Sequence, residues 1–276
     1  MAISSMSYKV DIQIDLFLEG VYRIYGYDFR SYSKASVKRR IDSIMQDLNL
    51  NNYAELQHNI FHDEHFFRHF LLKMSITVTE MFRDPNFFLN LKKYVIPQLE
   101  SYPYFKVWHA GCATGEEVYS MAILLHEAGL LDRATIYATD FNNHALEKAK
   151  SGIYSLDTLE KYIVNYNTVS DQNRFSDYYC SKYGAAKIRD FLKKRITFAS
   201  HNLVTDNSFG EMNIIFCRNV LIYFNSHLQN RVLDLFYNSL SRFGYLCLGA
   251  RESLESHELS KKFNKICKNE KIYRRT

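Results

Sequence analysis

The N-terminal quarter of the chain places apolar side chains at the three- and four-residue spacing of helices. A side chain every three or four residues falls on one face of a helix. The serine-rich segment SYSKAS (31–36) offers N-caps to the second stretch. The apolar positions are Ile12, Leu16, Leu18 and Tyr22, then Val37, Ile41, Ile44, Met45 and Leu48, then Phe61, Phe66, Phe67, Phe70 and Leu71. The pattern predicts an all-α domain over residues 1–75.

From residue 104 onward, short apolar runs alternate with amphipathic segments. Strands that alternate with helices at this spacing indicate a parallel, doubly wound sheet. The C-terminal sequence FNKICKNEKIYRR predicts two strands around a Lys-Asn-Glu turn, and so an antiparallel hairpin. We expect an α/β domain over 104–276, joined to the helical domain by a linker at 76–103. The predicted strands are 105–111, 135–140, 195–203, 213–219 and 245–250, and the predicted helices are 116–129, 142–150 and 226–244.

One segment interrupts this alternation. Residues 175–192, FSDYYCSKYGAAKIRDFL, contain two short runs rich in tyrosine or branched side chains around Gly184. Glycine between two such runs is typical of a hairpin. We therefore predict a small antiparallel β insert at about 165–194.

Composition and charge exclude several classes of protein. No stretch approaches the roughly 18 consecutive apolar residues that a membrane span needs, and the start lacks the regions of a secretory signal. The five cysteines are scattered without a CxxC pair, which favours reduced thiols in a cytoplasmic protein. The net charge of +5 is concentrated at 261–276 and does not interleave with aromatic residues as in nucleic-acid binders. We expect a cytoplasmic protein that neither binds nucleic acid nor inserts into a membrane.

The sequence VWHAGCATGEEVYSMA (107–122) predicts a ligand site. A strand ends at Gly111 and a helix begins after Gly115, which lets backbone approach a ligand at the carboxyl end of a parallel strand. Glu116 and Glu117 stand where a phosphate ligand would need neutral or positive surroundings, so they favour a ligand that bears cations. Asp140 closes the next strand, where an acid commonly binds ribose hydroxyls. The two glutamates could instead only favour the helix dipole.

Six segments of the chain form a pattern that occurs in one order along a known family. They are ITVTEMFRDPNFF (76–88), AGCATGEEVYSMA (110–122), ATDFNNHALEKAKSGIY (138–154), FASHNL (198–203), FCRNVLIYF (216–224) and GARESL (249–254). With these segments the chain resembles CheR-type chemoreceptor glutamate methyltransferases, from about residue 10 to the end. The resemblance implies a Rossmann-like methyltransferase domain with a C-terminal hairpin and a small β insert, preceded by an all-α domain. It also implies a protein-glutamate O-methyltransferase that uses S-adenosylmethionine and releases S-adenosylhomocysteine.

The same resemblance implies which residues hold the cofactor. Glu116 would bind its amino-acid end and Asp140 its ribose, beside the backbone at Gly111. Thr77 stands where the family usually has Asn, which puts cofactor affinity in question. The other implied positions are Thr79 and Arg83 in the segment before the sheet, Asn202 and Leu203 beside the adenine, and Arg218 and Asn219 between cofactor and acceptor.

Methyl transfer to a glutamate needs alignment more than acid–base chemistry. A free glutamate carboxylate has a pKa near 4.3 and is already ionised at neutral pH. It can attack without a general base, so the useful catalytic residue is a cation or hydroxyl that fixes the acceptor. The candidates are Arg83, Arg218 and Tyr223, with no catalytic metal. Arg83 could instead pin Asp84 or the cofactor, and Tyr223 could be a core residue.

Two surfaces are candidates for receptor contacts. Lys34, Lys38, Arg39 and Arg40 cluster on one predicted helix and could dock on the acidic cytoplasmic helices of a receptor, or form a solvated charged face. The β insert could accept a receptor C-terminal peptide as an added strand. The alternatives to receptor methylation are a methyltransferase for a small molecule or another protein, and a non-catalytic S-adenosylmethionine-binding signalling module.

A histidine stripe is the remaining candidate for a site. His58, His62, His65 and His69 would share one face of a single predicted helix. Such a stripe can bind a transition metal. The neighbouring Asp63 and Glu64 point elsewhere on a helix, so we predict partner packing or surface and no metal.

Overall fold

A computed structural model describes residues 2–75, 79–170, 173–255 and 257–276. The chain divides into two compact units. The first comprises Met1–Ile76 and Tyr223–Val232, and the second comprises Thr77–Ile222 and Leu233–Thr276. The first unit therefore takes a short stretch from the region 104–276, which sequence had assigned wholly to the α/β domain.

The first unit is built from helices, as the sequence predicts. Ser33 caps the second helix, because its Oγ accepts a hydrogen bond from the Ser36 amide at 3.3 Å. An aromatic core holds the helices together, with the Phe17 ring 5.3 Å from that of Phe70. The helices are α1 (Ala2–Tyr25), α2 (Lys34–Asp47), α3 (Tyr53–His62) and α4 (Glu64–Met74).

The predicted buried face of α1 is largely wrong. Leu16 is 63% exposed and Ile12 is 41% exposed. The face that packs consists of Ile14, Phe17, Leu18 and Val21. Both faces of α1 carry apolar side chains, so spacing alone could not tell which one meets the other helices.

The histidine stripe is not continuous. Helix α3 ends at His62 and α4 begins at Glu64, because Asp63 leaves the helical conformation and caps α4. Its carboxylate accepts a hydrogen bond from the His65 amide at 2.7 Å. The prediction of a single helix through these histidines was therefore wrong.

The second unit contains a seven-stranded sheet in the order β6-β2-β1-β7-β8-β10-β9. The first five strands in that order run parallel, whereas β10 is antiparallel to both β8 and β9. The doubly wound sheet and its C-terminal hairpin are thus confirmed. The strands are β1 (Phe105–Ala110), β2 (Ala134–Asp140), β6 (Ile196–Ser200), β7 (Met212–Cys217), β8 (Leu240–Leu248), β9 (Phe263–Lys265) and β10 (Ile272–Arg275).

Helices connect these strands. Helix α11 ends at Ser239, five residues before the predicted end at 244, because Leu240 already pairs with Met212 of β7. The pairing then shifts register, since Tyr245 is the partner of Ile214. The helices are α5 (Pro85–Asn90), a π-helical turn (Leu91–Val95), α6 (Ile96–Leu99), α7 (Glu116–Glu127), α8 (Asn143–Ser151), α9 (Leu156–Val169), α10 (Asp190–Lys193) and α11 (Ser226–Ser239). Short 3₁₀ turns lie at Leu131–Arg133, Phe175–Tyr178, Leu221–Tyr223 and Glu258–Lys262.

A second, three-stranded antiparallel sheet forms the insert. It contains β3 (Ile153–Ser155), β4 (Tyr179–Lys182) and β5 (Ala185–Ile188) in the order β3-β5-β4. The predicted hairpin around Gly184 is confirmed, and β3 joins it from outside the predicted range. One carboxylate oxygen of Glu127, at the end of α7, accepts hydrogen bonds from both Tyr166 at 2.6 Å and Tyr178 at 3.0 Å. These bonds attach the insert to a helix of the main sheet.

The described ranges contain neither a candidate membrane-spanning helix nor a cluster of metal-ligating side chains. None of the helices in them combines the length and apolar character needed to cross a membrane. Nor do these ranges bring three or more metal-ligating side chains together.

Candidate functional site

The loop between β1 and α7 lies at the carboxyl end of the parallel sheet. Three of its residues have positive φ: Gly111 at 78°, Ala113 at 48° and Gly115 at 90°. The amides of Gly111 and Cys112 both donate to the carbonyl of Thr139 in β2, at 2.8 and 2.9 Å. The loop is thus folded back onto the end of the neighbouring strand.

Asp140 holds this loop in place. It is nearly buried, and its Oδ2 accepts a hydrogen bond from the Ala113 amide at 2.9 Å. Its Oδ1 accepts one from the Asn142 amide, also at 2.9 Å. Burial raises the pKa of Asp140 above its ordinary value, and the backbone N–H donors oppose that rise. The amide of Phe141 also acts on this carboxylate. A carboxylate has about four acceptor sites, so three backbone donors leave capacity that a ligand hydroxyl would use.

Glu116 is the first residue of α7 and is only 4% exposed. The Thr114 hydroxyl donates to its Oε2 at 2.7 Å and the Tyr162 hydroxyl donates to its Oε1 at 3.3 Å. Burial raises the pKa of Glu116 to about 7, although the two hydroxyls act in the opposite direction. Its side-chain hydrogen-bond partners in the described part of the chain are hydroxyls, while the positive charge of Lys148 lowers its pKa without being one of these partners. A ligand that brings positive charge here would supply what the carboxylate lacks.

Glu117, the next residue, has different partners, and its pKa is shifted in the opposite direction. His109 Nδ1 lies 3.1 Å from its Oε1, and Arg218 Nη1 donates to its Oε2 at 2.8 Å. Burial alone would raise the pKa of Glu117, but His109 and Arg218 together hold it below its ordinary value. Two adjacent glutamates therefore differ, because one has a cationic partner from the chain and the other does not.

Arg218 follows β7 and is bound by the chain's own carboxylates. Its Nη2 donates a hydrogen bond to Asp84 Oδ2 at 2.7 Å, while its Nη1 donates to Glu117 Oε2. The guanidinium stacks over the Phe87 ring at 3.9 Å, and the side chain is 2% exposed. This geometry corrects the interpretation of Arg218 as the cation that fixes an acceptor carboxylate, since two internal carboxylates occupy it. It supports a positioning function for Arg218 instead.

The remaining candidates are placed at the edges of this region. Arg83 is half-buried, and its carbonyl lies 3.5 Å from Arg218 Nη1. Thr79 is also half-buried, whereas Thr77 lies outside the described residues. Asn202 begins a turn in which its Oδ1 accepts from the Val204 amide at 3.0 Å.

Three further candidates complete the set. Leu203 is buried, and Asn219 has a φ of 62° directly after Arg218. Tyr223 belongs to the first unit, where the Arg40 guanidinium lies 4.5 Å from the centre of its ring. Its proposed catalytic function stays a prediction.

Sequence reasoning missed several residues of the site. Thr114 stands in the glycine loop, and its hydroxyl could have been proposed as a partner for the nearby glutamate. Tyr162 gave no such signal, because it lies on α9 beside the insert and reaches Glu116 only through the fold. His109 was likewise unmarked, and Asp84 was considered only as a possible partner of Arg83, the residue before it.

The sheet with its antiparallel hairpin, and the acidic glycine loop at its carboxyl edge, define an S-adenosylmethionine-dependent methyltransferase. Residues 77–271 match the family model described as the CheR methyltransferase SAM binding domain. Residues 12–75 match the one described as the CheR methyltransferase all-alpha domain. The chain belongs to the CheR methyltransferase family.

Individual relatives agree with this assignment. The chain is 46% identical over 268 residues to a putative methyltransferase, Cher3, of Pseudomonas putida, covering 97% of this chain and 98% of that protein. It is 31% identical to a chemotaxis protein methyltransferase of Listeria innocua, over 86% of this chain and 88% of that one. It is 34% identical to chemotaxis protein methyltransferase 1 of Vibrio cholerae, over 70% of each chain.

The residues around the glycine loop fit the cofactor of this family. S-adenosylmethionine carries a sulfonium and an ammonium, and Glu116 is a buried carboxylate whose side-chain hydrogen-bond partners among the described residues are hydroxyls. Asp140 keeps lone pairs for hydroxyl donors at the end of β2. The donor set therefore has the charge and the hydrogen-bonding capacity that this cofactor requires.

Replacement of Gly115 by alanine tests the geometry of the loop. A Cβ at Gly115 would lie 2.8 Å from the Ala149 Cβ, besides the positive φ of 90°. Gly129 has a φ of 68° with nothing within 4 Å of its Cβ position, so Gly129→Ala is the matched control. We expect Gly129→Ala to cost only the left-handed penalty of about 1–2 kcal/mol.

Gly115→Ala should destabilise the protein more than that and also weaken S-adenosylhomocysteine binding. Urea unfolding and titration calorimetry measure the two effects. Equal losses of stability in the two variants, with unchanged binding, would contradict the close approach at Gly115.

Proposed function

We propose that this protein transfers the methyl group of S-adenosylmethionine to glutamate side chains on the cytoplasmic helices of chemoreceptors, forming methyl esters for sensory adaptation in the cytoplasm. The observation that carries the proposal is the buried, cation-deficient carboxylate of Glu116 at the head of α7 in a CheR-family fold. The names of the Listeria and Vibrio relatives support the assignment to chemotaxis.

The cofactor contacts are part of the proposal. Glu116 would hold the cationic amino-acid end of the cofactor, and Asp140 would accept hydrogen bonds from its ribose hydroxyls. The burial of both carboxylates supports these roles, because an ion pair or charge-assisted hydrogen bond is strongest where water is excluded. The remaining proposed cofactor contacts are Thr77, Thr79, Arg83, Gly111, Asn202, Leu203, Arg218 and Asn219.

The proposed methyl transfer requires the protein to align the cofactor with the acceptor carboxylate. The bound cofactor supplies a methyl group on a sulfonium sulfur, which an ionised carboxylate oxygen can attack in line. Alignment of two bound reactants supplies much of the rate in such a reaction. Arg218 positions the site by joining Asp84 to Glu117. Arg83, half-buried next to Asp84, is the proposed partner of the acceptor carboxylate, and Tyr223 is a second candidate.

Receptor docking is proposed for the basic face of α2. Lys38 is half-buried and Arg39 is exposed, while Lys34 forms an exposed ion pair with Asp15 at 2.9 Å. Arg40 does not fit this surface. It is 6% exposed, and it donates to the Met74 carbonyl at 2.7 Å inside the first unit. The docking surface is therefore reduced to Lys34, Lys38 and Arg39.

The insert is the proposed site for a receptor C-terminal peptide. Strand β4 is the last strand in the order β3-β5-β4 and pairs with β5 on one side. An edge strand can recruit an extended peptide as an additional strand. This contact would tether the enzyme near the methylation helices.

A methylation assay tests the proposed activity. The purified protein is incubated with methyl-labelled S-adenosylmethionine and an acidic receptor cytoplasmic fragment. Glutamate methyl esters should release the label as methanol in mild base. A fragment with its glutamates changed to alanine is the control and should take up no label. Base-resistant label would indicate methylation of nitrogen or sulfur, and absence of label would favour a non-catalytic binding module.

The raised pKa of Glu116 predicts pH-dependent cofactor binding. In the free protein this carboxyl titrates at about 7. A cationic ligand stabilises the ionised form, so the pKa falls on binding and affinity rises with pH until the free carboxyl is ionised. Affinity for S-adenosylhomocysteine should increase roughly eightfold between about pH 6 and about pH 7.5.

Titration calorimetry measures this dependence. Glu116→Gln should bind more weakly and lose most of the pH dependence, whereas Glu147→Gln, which changes an exposed carboxylate on α8, should behave as the wild type. The same pH slope in Glu116→Gln and in the wild type would assign the effect to another group.

Charge reversal on α2 tests the docking surface. The double variant Lys38→Glu, Arg39→Glu should raise the KM for the receptor fragment severalfold, because the receptor helices are acidic. Its affinity for S-adenosylhomocysteine should not change. Lys9→Glu, an exposed charge reversal on α1, is the control. An unchanged KM in the double variant, at low salt, would rule out this face.

A further inference from the structure

We infer that Glu252 is a positioning residue of the methyl-transfer site, which fixes the turn after β7 against the glycine loop. The inference rests on the proposed function, because that turn carries Arg218 and Asn219. Glu252 lies in the loop after β8, in the segment GARESL (249–254). It is a carboxylate that is only 4% exposed.

Backbone amides from two loops converge on this carboxylate. Glu252 Oε2 accepts hydrogen bonds from the amide of Asn219 at 3.0 Å and from the amide of Gly249 at 2.6 Å. Its Oε1 accepts one from the amide of Val220 at 2.8 Å. Hydrogen bonds to a carboxylate are roughly twice as strong as those between neutral groups. Glu252 thus links the ends of two neighbouring strands, β7 and β8.

The bonded turn approaches the loop after β8 closely. Asn219 has a φ of 62°, in the left-handed region, which asparagine adopts more readily than most residues with a side chain. A Cβ at Gly249 would lie 2.8 Å from the Asn219 amide nitrogen, so glycine is what allows the two loops to approach this closely. The carboxylate of Glu252 fills the space between them.

The turn after β7 also contacts the glycine loop. A Cβ at Gly111 would lie 2.7 Å from Val220 Cγ2, so the side chain of Val220 packs directly on the backbone of the loop. The amide of the same Val220 is bonded to Glu252. A shift of this turn would therefore move Arg218 on one side and the Gly111 loop on the other.

This arrangement predicts a specific kinetic defect. The carbonyl oxygen of a glutamine can accept two hydrogen bonds, and its NH₂ group would face an N–H donor, so Glu252→Gln cannot serve all three amides. The turn would then relax by a fraction of an ångström. Misplacement on this scale reduces the rate of alignment-dependent chemistry more than it reduces binding, by at least about tenfold in kcat.

The test compares Glu252→Gln, Glu252→Asp and a matched control. Glu258→Gln is the control, since Glu258 is an exposed acid a few residues away. The measurements are S-adenosylhomocysteine affinity and stoichiometry, kcat and KM for the receptor fragment, and hydrogen exchange of the amides of Asn219 and Val220. Stoichiometry reports the folded fraction, so kcat refers to folded protein only.

We expect faster exchange of these two amides in Glu252→Gln, S-adenosylhomocysteine affinity within about threefold of the wild type, and the stated loss of kcat, with partial recovery in Glu252→Asp. A wild-type kcat in folded Glu252→Gln, or a loss confined to cofactor affinity, would overturn the inference. If Glu252→Gln did not fold, Glu252→Asp decides, because an undiminished kcat in that variant contradicts the positioning role. Absence of receptor methylation in the wild type and in Glu258→Gln would refute the proposed function separately.

Discussion

The site depends on how buried carboxylates at the carboxyl edge of the sheet obtain their partners. Asp140 and Glu252 are each satisfied by backbone amides from neighbouring loops. Glu117 is satisfied by Arg218 and His109. The side-chain hydrogen-bond partners of Glu116 in the described part of the chain are two hydroxyls. Since a buried carboxylate that is not hydrogen-bonded to a cation is costly, we propose that this position receives positive charge from a ligand.

The need of a buried charge for partners also changes the interpretation of Arg218. From sequence, an arginine after β7 was a good candidate to hold an acceptor carboxylate. In the structure it connects the segment before α5 to the start of α7, through Asp84 and Glu117. Asp84 is partly exposed in this network, whereas the Arg218 side chain is 2% exposed. The proposed function of Arg218 is therefore to maintain the geometry of the site.

The sequence predicted most of the fold, because the strands of the parallel sheet are short apolar runs that end at a glycine or a polar residue. The strand before Gly111 and the strand closed by Asp140 are examples. The local sequence pattern did not predict features that depend on contacts with distant parts of the chain. The end of α11 at Ser239 follows from the pairing of Leu240 with β7, and the buried face of α1 follows from its neighbours.

The site was predictable in part for the same reason. Glu116 directly follows Gly115 of the loop, and Asp140 closes the next predicted strand, so local patterns indicated both. Tyr162 and Glu252 reach the site from α9 and from the loop after β8, and their contacts exist only in the folded chain. The motif GARESL marked Glu252 as part of a family segment without indicating that its carboxylate binds backbone amides.

The most direct measurement is the titration of the Glu116 carboxyl carbon by NMR, in protein with ¹³C-labelled glutamate, with and without S-adenosylhomocysteine. Glu116→Gln assigns the signal. The account predicts a pKa of about 7 in the free protein and a clear decrease when the ligand is bound. An ordinary glutamate pKa in the free protein, or a pKa that the ligand leaves unchanged, would contradict the assignment of this carboxylate to the cationic end of the cofactor.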